Sequence, residues 1–120
     1  MLDLGQPQIL RKPSAKLSSE EVELAEKYLQ GAVHSYTKSH PGQCFSLRDL
    51  VGGENGDWNG TPLQKFYDYH RQSGKSHEQA KEQAAKDVGW VLKSVLAEEE
   101  KVYEQYQGGR TKLYRRIDDI

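Results

Sequence analysis

The chain has a single cysteine and a single methionine in 120 residues, four prolines, and no surplus of charge of either sign. With Cys44 alone, an internal disulfide framework and a cysteine-rich zinc module are both excluded. No apolar run approaches the ~20 residues that span a bilayer, and residues 1–17 lack the basic-then-apolar order of a secretion signal. A reducing, cytoplasmic setting with no membrane partner is therefore expected. Lys and Arg number 17 against 18 Asp and Glu, a net charge of −1, so no global field draws the molecule to a polyanion. Any nucleic-acid contact has to come from a local basic patch. Apolar residues are also scarce at 35%, with 29% charged, but seven Tyr, two Trp and two Phe supply bulky side chains for a small core. The length fits one domain, expected over residues 18–117, with an irregular arm over 1–17 and a short tail over 118–120.

What is present is mostly helix punctuation. Ser18 with Glu21 forms a capping box, and Glu20, Glu21 and Glu23 sit where the helix dipole favours negative charge. Val22, Ala25, Leu29, Ala32, Val33 and Tyr36 step by three or four and predict one buried stripe, ended by Pro41-Gly42. Gly31 in its middle reads as the mark of a close helix contact. Ser46, with Asp49 at the third helical position and Gly52 after Val51, predicts a short second helix. Residues 52–60, rich in Gly and carrying Asn55-Gly56, form a loop. Thr61 as cap, Pro62 at the first helical position and Gln64 in the box predict a third helix, on which Leu63, Phe66, Tyr67 and His70 share a face until Gly74. Ser76 with Gln79 opens a longer helix whose apolar face runs from Ala80 to Leu96.

The period then changes. Residues 101–106 and 111–117 are rich in β-formers and flank Gln107-Gly108-Gly109-Arg110, the pattern of a hairpin. A two-residue turn at the glycines pairs Tyr103 with Tyr114, and a bulged turn pairs Tyr103 with Leu113. The fold class expected is mainly α with a C-terminal β-hairpin (α+β). In its order of elements the chain resembles the winged helix-turn-helix superfamily. Phe45–Val51 is similar to the second helix of that fold, Val88–Leu96 to its third or recognition helix, and Gln107–Ile117 to its wing. The resemblance covers the layout of residues 18–117 as a three- to four-helix domain, in which residues 52–75 and their helix are either an insertion or supply, as Thr61–Ser73, the second helix of the motif itself. Its implied partner is double-stranded DNA, with a homodimer as the form common in that class.

Charge distributes unevenly along this layout. From Ser76 to Tyr106 there are four basic residues, Lys81, Lys86, Lys93 and Lys101, and seven acidic ones. From Gln107 to Arg116 there are four basic residues and no acid. The resemblance implies that exposed Lys81, Lys86 and Lys93 approach the major groove while Arg110, Lys112 and Arg115 of the wing touch the backbone. Arg48, Lys65, Arg71 and Lys75 would add phosphate contacts. Against this stands a solvated face with Glu82–Lys86 as an ion pair and Arg115 and Arg116 paired to Glu98–Glu100. A second functional reading is a protein-interaction module that keeps the winged shape without binding DNA, supported by the acidic long helix, the near-zero net charge and the tyrosine-rich hairpin, and favoured if Tyr103, Tyr106 and Tyr114 are exposed.

Enzymatic chemistry and cofactors are not expected. His34, His40 and Cys44 lie near one another but lack paired ligand spacing, and Cys44 beside Phe45 reads as a small buried hydrophobe. His70 on an apolar face reads as a core histidine. Asp57-Trp58-Asn59-Gly60-Thr61 lacks the closing Glu of a calcium loop, and the Gly-Gly pairs lack the downstream Lys-Ser or Lys-Thr of a phosphate loop. Trp90 reads as a core-edge residue and Trp58 as either a cover on the core or an exposed anchor.

Overall fold

The computed structural model describes residues 2–3, 10–52, 58–99, 101–108 and 111–117. Its elements are β1 (Leu2–Asp3), α1 (Ser19–Ser39), α2 (Leu47–Val51), α3 (Gln64–Gln72), α4 (His77–Glu98), β2 (Tyr103–Gly108) and β3 (Thr111–Arg116). The described residues thus form a mainly helical domain of four helices closed by a C-terminal antiparallel hairpin, as the sequence pattern predicts. No helix among the described residues is long and apolar enough to cross a membrane.

Local capping sets the helix starts. Ser18, Ser46 and Ser76 each receive the backbone N–H three residues on, and Glu21, Asp49 and Gln79 return a bond to the cap, completing three capping boxes. The third helix departs from expectation. It begins at Gln64 with Leu63 as its cap, because Thr61 is occupied in a turn. The Thr61 hydroxyl donates to the Trp58 carbonyl at 2.8 Å and accepts from the Leu63 N–H at 3.2 Å. Gly74, with φ of +97°, reverses the chain between α3 and α4.

Ala25, Leu29 and Val33 of α1, Phe66 of α3 and Val88, Leu92 and Leu96 of α4 meet in one core. The hairpin closes it with Tyr103 and Tyr114, both buried. Phe45 is the rung that joins loop to sheet. Its N–H donates to the Tyr114 carbonyl at 2.7 Å and its carbonyl accepts from the Tyr114 N–H at 2.8 Å. The Phe45 ring stands edge-on to Tyr103 at 6.2 Å and tilts against Tyr114 at 6.0 Å.

That ring explains why neither expected register occurs. Tyr103 pairs with Arg116 and Gln105 with Tyr114, which leaves Gly109-Arg110 as the connection. The offset from the Tyr103–Tyr114 pairing is two residues, so both tyrosines keep the core face but stand diagonally, each against Phe45. A bulged Tyr103–Leu113 pairing would turn Tyr114 to the opposite face.

The N-terminal arm is docked at two places. Leu2–Asp3 pairs in parallel with Tyr103 and Glu104, giving a sheet ordered β1-β2-β3. Ala15 is buried in the core cluster. Two smaller expectations also fail. An added Cβ at Gly31 would meet nothing within 4 Å, so no close helix contact explains that glycine. Cys44 is exposed, because the Phe45 rung turns its neighbour outward.

Candidate functional site

The arm is held by a buried carboxylate. Asp87 of α4 is 1% exposed and accepts from the Ser14 N–H at 2.8 Å, the Ser14 hydroxyl at 2.8 Å and the Ala15 N–H at 3.1 Å. His70 Nε2 donates to the same carboxylate at 2.7 Å. Gln83 Nε2 donates to Ser14 Oγ at 2.9 Å. Serine, histidine and aspartate are together here, yet not as a proton relay. In a relay the acid and the nucleophile take opposite ring nitrogens. Here Ser14 and Asp87 both lie at Nε2, and the buried Nδ1 has no hydrogen-bond partner among the described residues. The Ser14 hydroxyl is committed to the carboxylate. The cluster is an anchor for the arm.

A second feature has an open side. A cavity of about 630 Å³ runs between α2 and Trp58 on one wall, residues 82–93 of α4 on the other, and Lys112 and Tyr114 of β3. Trp58 is fixed there by its indole N–H, which donates to the Val51 carbonyl at 3.2 Å. On α4 the side facing the cavity is the stripe Glu82, Lys86, Gly89, Lys93, spaced by four, three and four residues. Gly89 leaves the floor open, since an added Cβ would touch nothing within 4 Å. Arg48, Lys86, Lys93 and Lys112 line the cavity against one acid, Glu82, which pairs with Lys86 at 3.4 Å.

Trp90 stands at this site surrounded by positive charge. Arg11 Cζ lies 5.4 Å from the ring centroid, Lys93 Nζ 5.5 Å and Lys112 Nζ 5.3 Å. Lys93, expected to be exposed, is buried, with 7% of its surface exposed. Its stem fills space beside the core and its ammonium lies against the Trp90 ring. Burial first, then the neighbouring Lys112 and Arg11 charges, hold its ammonium below the usual lysine range.

No known protein family, curated protein or solved structure matches the chain. The site therefore has to be read from its own residues.

Of the six basic residues singled out by sequence, the structure gathers Lys86, Lys93 and Lys112 at the cavity. Lys81 does not line it, lying twelve residues before Lys93, about 18 Å along the helix axis. Arg115 alternates with Lys112 and Tyr114 along β3 and points from the opposite side of the hairpin. There it pairs with Glu104 at 3.1 Å and covers the Tyr106 ring at 5.7 Å, so among the described residues its acid partner is Glu104. Arg110 lies outside the described residues, as does Asp57. Arg48 joins the cavity, whereas Lys65, Arg71 and Lys75 do not; Arg71 Nη1 instead donates to the Lys75 carbonyl at 3.0 Å.

Arg11 belongs to the segment that the sequence predicts as an irregular arm. Its only signal was proximity to Ser14, which has meaning once Asp87 is seen to hold that segment. Trp90 is at the core edge as expected, but its cationic setting had no signature. His34 bonds Glu99 at 3.0 Å and His40 stacks on Tyr36 at 4.3 Å, so the two rings are engaged separately. Among the described residues no group of three or more His, Cys, Asp or Glu side chains converges as a metal site would require.

Proposed function

We propose that this chain is a winged-helix-like protein that binds double-stranded DNA along the face shared by α2, α4 and the hairpin. The observation that carries the reading is the gathering of Arg48, Lys86, Lys93 and Lys112 on one cavity in a molecule whose net charge is −1. Separate elements supply these cations, and one carboxylate opposes them. Such a surface suits phosphate contact, because each neutralised phosphate releases condensed counterions.

The topology supports the same reading. Phe45, between α1 and α2, adds a rung to β3, and α4 runs directly into the hairpin. That order is similar to a winged helix with a single-residue first strand and supports the reading, the α3 segment being additional. The interaction-module reading has less support than the sequence suggested. Of the three tyrosines it relied on, Tyr103 and Tyr114 are consumed by the core and only Tyr106 is exposed.

Duplex binding measured against salt tests the proposal. With Lys93 and Lys112 meeting one phosphate and Arg48 and Lys86 one each, three neutralised phosphates give a slope near −2.7 in log K against log salt, a loss of roughly 40-fold between about 50 and 200 mM. Arg48→Gln with Lys112→Gln is expected to flatten that slope by about one or more. Absence of duplex binding at about 50 mM salt overturns the reading.

A further inference from the structure

The three cations around Trp90 come from parts of the chain far apart in sequence: the arm, α4 and β3. An indole has two faces, so at least two of them share one. Attraction to the ring holds each in place, but they repel one another. Lys93 is more than nine-tenths buried, and no carboxylate among the described residues is paired with Arg11, Lys93 or Lys112. The acid of the cavity, Glu82, is already engaged by Lys86. A buried lysine that only stabilises a fold is expected to have a carboxylate beside it. Here a buried lysine has two more cations beside it, and an anion is what such a gathering lacks.

We propose that Arg11, Lys93 and Lys112 form a site for a phosphate group beside Trp90, at the edge of the cavity that Lys93 and Lys112 line. The site deepens the nucleic-acid reading and rests on it for identifying that group as a phosphate of the DNA backbone. The chemistry suits a tetrahedral oxyanion. A guanidinium offers two parallel N–H donors to two phosphate oxygens, and two ammonium groups serve the remaining oxygens as point charges. The open floor at Gly89 leaves space for the group and for what is attached to it. Ser14 and Ala15, fixed on Asp87, limit how far Arg11 can stray, because only Lys12 and Pro13 separate it from the anchor.

Inorganic pyrophosphate is the probe, titrated at matched ionic strength into the full chain and followed by calorimetry and by tryptophan fluorescence. Saturable binding is expected, with a change in emission. Arg11→Gln, Lys93→Gln and Lys112→Gln should each raise its Kd about tenfold or more. Lys27→Gln, on the exposed face of α1, should leave the Kd unchanged. Arg11 and Lys112 are exposed, so their variants remain informative even if Lys93→Gln fails to fold. A duplex of about 16 base pairs should compete with the probe. No saturable binding, or a Kd indifferent to the Arg11 and Lys112 variants, overturns the phosphate site whatever the duplex does. If pyrophosphate binds, the variants weaken it and the duplex neither binds nor competes, the phosphate site stands with a free phosphate compound as its ligand. In that outcome the DNA reading falls.

Discussion

Replacing Asp87 by Asn exchanges one carboxylate oxygen for an amide nitrogen at a buried side chain that accepts hydrogen bonds from Ser14, Ala15 and His70. The native carboxylate only accepts, and it accepts from Ser14, Ala15 and His70 at 2.7–3.1 Å. In Asp87→Asn the new amide hydrogens must face one of those donors. If the amide turns toward Oδ2's position, it meets the His70 Nε2–H and the Ala15 N–H. If it turns toward Oδ1's position, it meets both donors of Ser14. Either way at least one buried donor loses its acceptor, and the bonds that persist are no longer charge-assisted. Losing one partner of a buried charged network costs about 3–5 kcal/mol, and the retained oxygen places this variant near ~3 kcal/mol. Urea titration reads this directly. With a slope of about 1.5 kcal/mol per molar, the midpoint should fall by about 2 M. Ser14→Ala leaves the Ser14 and Ala15 N–H groups on the carboxylate and should cost only about 1 kcal/mol. A midpoint shift below about 0.5 M for Asp87→Asn, or one no larger than that of Ser14→Ala, would refute the view that this carboxylate pins the arm to α3 and α4.

Three further outcomes follow from individual positions. Gly31→Ala should raise stability by about 1 kcal/mol in the same titration, since the added methyl meets nothing within 4 Å and the helix gains propensity. Burial pushes the Tyr114 hydroxyl up to about 12, so the native state holds its proton more tightly than the unfolded chain does. Its contribution, roughly 2–3 kcal/mol, is therefore complete below about pH 10 and is lost as pH rises through about 12. Denaturation monitored between about pH 9 and 12 should show that loss, and Tyr114→Phe should flatten it. Cys44 is exposed and should react fully with a thiol reagent in the native protein, at a rate that denaturant barely changes.

The cation arrangement and the arm anchor have a common functional consequence. Arg11 reaches Trp90 from a segment whose docking depends on α3 through His70 and on α4 through Asp87. Helix packing and the composition of the basic site are thereby linked, without Arg11 itself belonging to any regular element.

The amino-acid sequence by itself determined the helices, because their signals are local. A serine cap and its partner three residues later describe one turn of backbone, and apolar spacing reports which side of a rod is dry. The three capping boxes at Ser18, Ser46 and Ser76 and the stripes on α1 and α4 were legible for that reason. The existence of the hairpin was legible too, from two β-forming runs around glycine. Its register was not, because the Phe45 rung that fixes it comes from about 70 residues earlier and leaves no mark on the turn. Tertiary structure alone decided which charges meet. Lys81, Lys86 and Lys93 look alike along α4, but only a stripe spaced by four and three faces the hairpin, and Lys81 lies off it. Lys112 and Arg115 are separated on β3 because strand side chains alternate between faces. Arg11 enters the site through a carboxylate more than 70 residues away in the chain. Charge carries no periodic signature of its destination, so a basic site on a near-neutral protein exists only once the fold has brought its parts together.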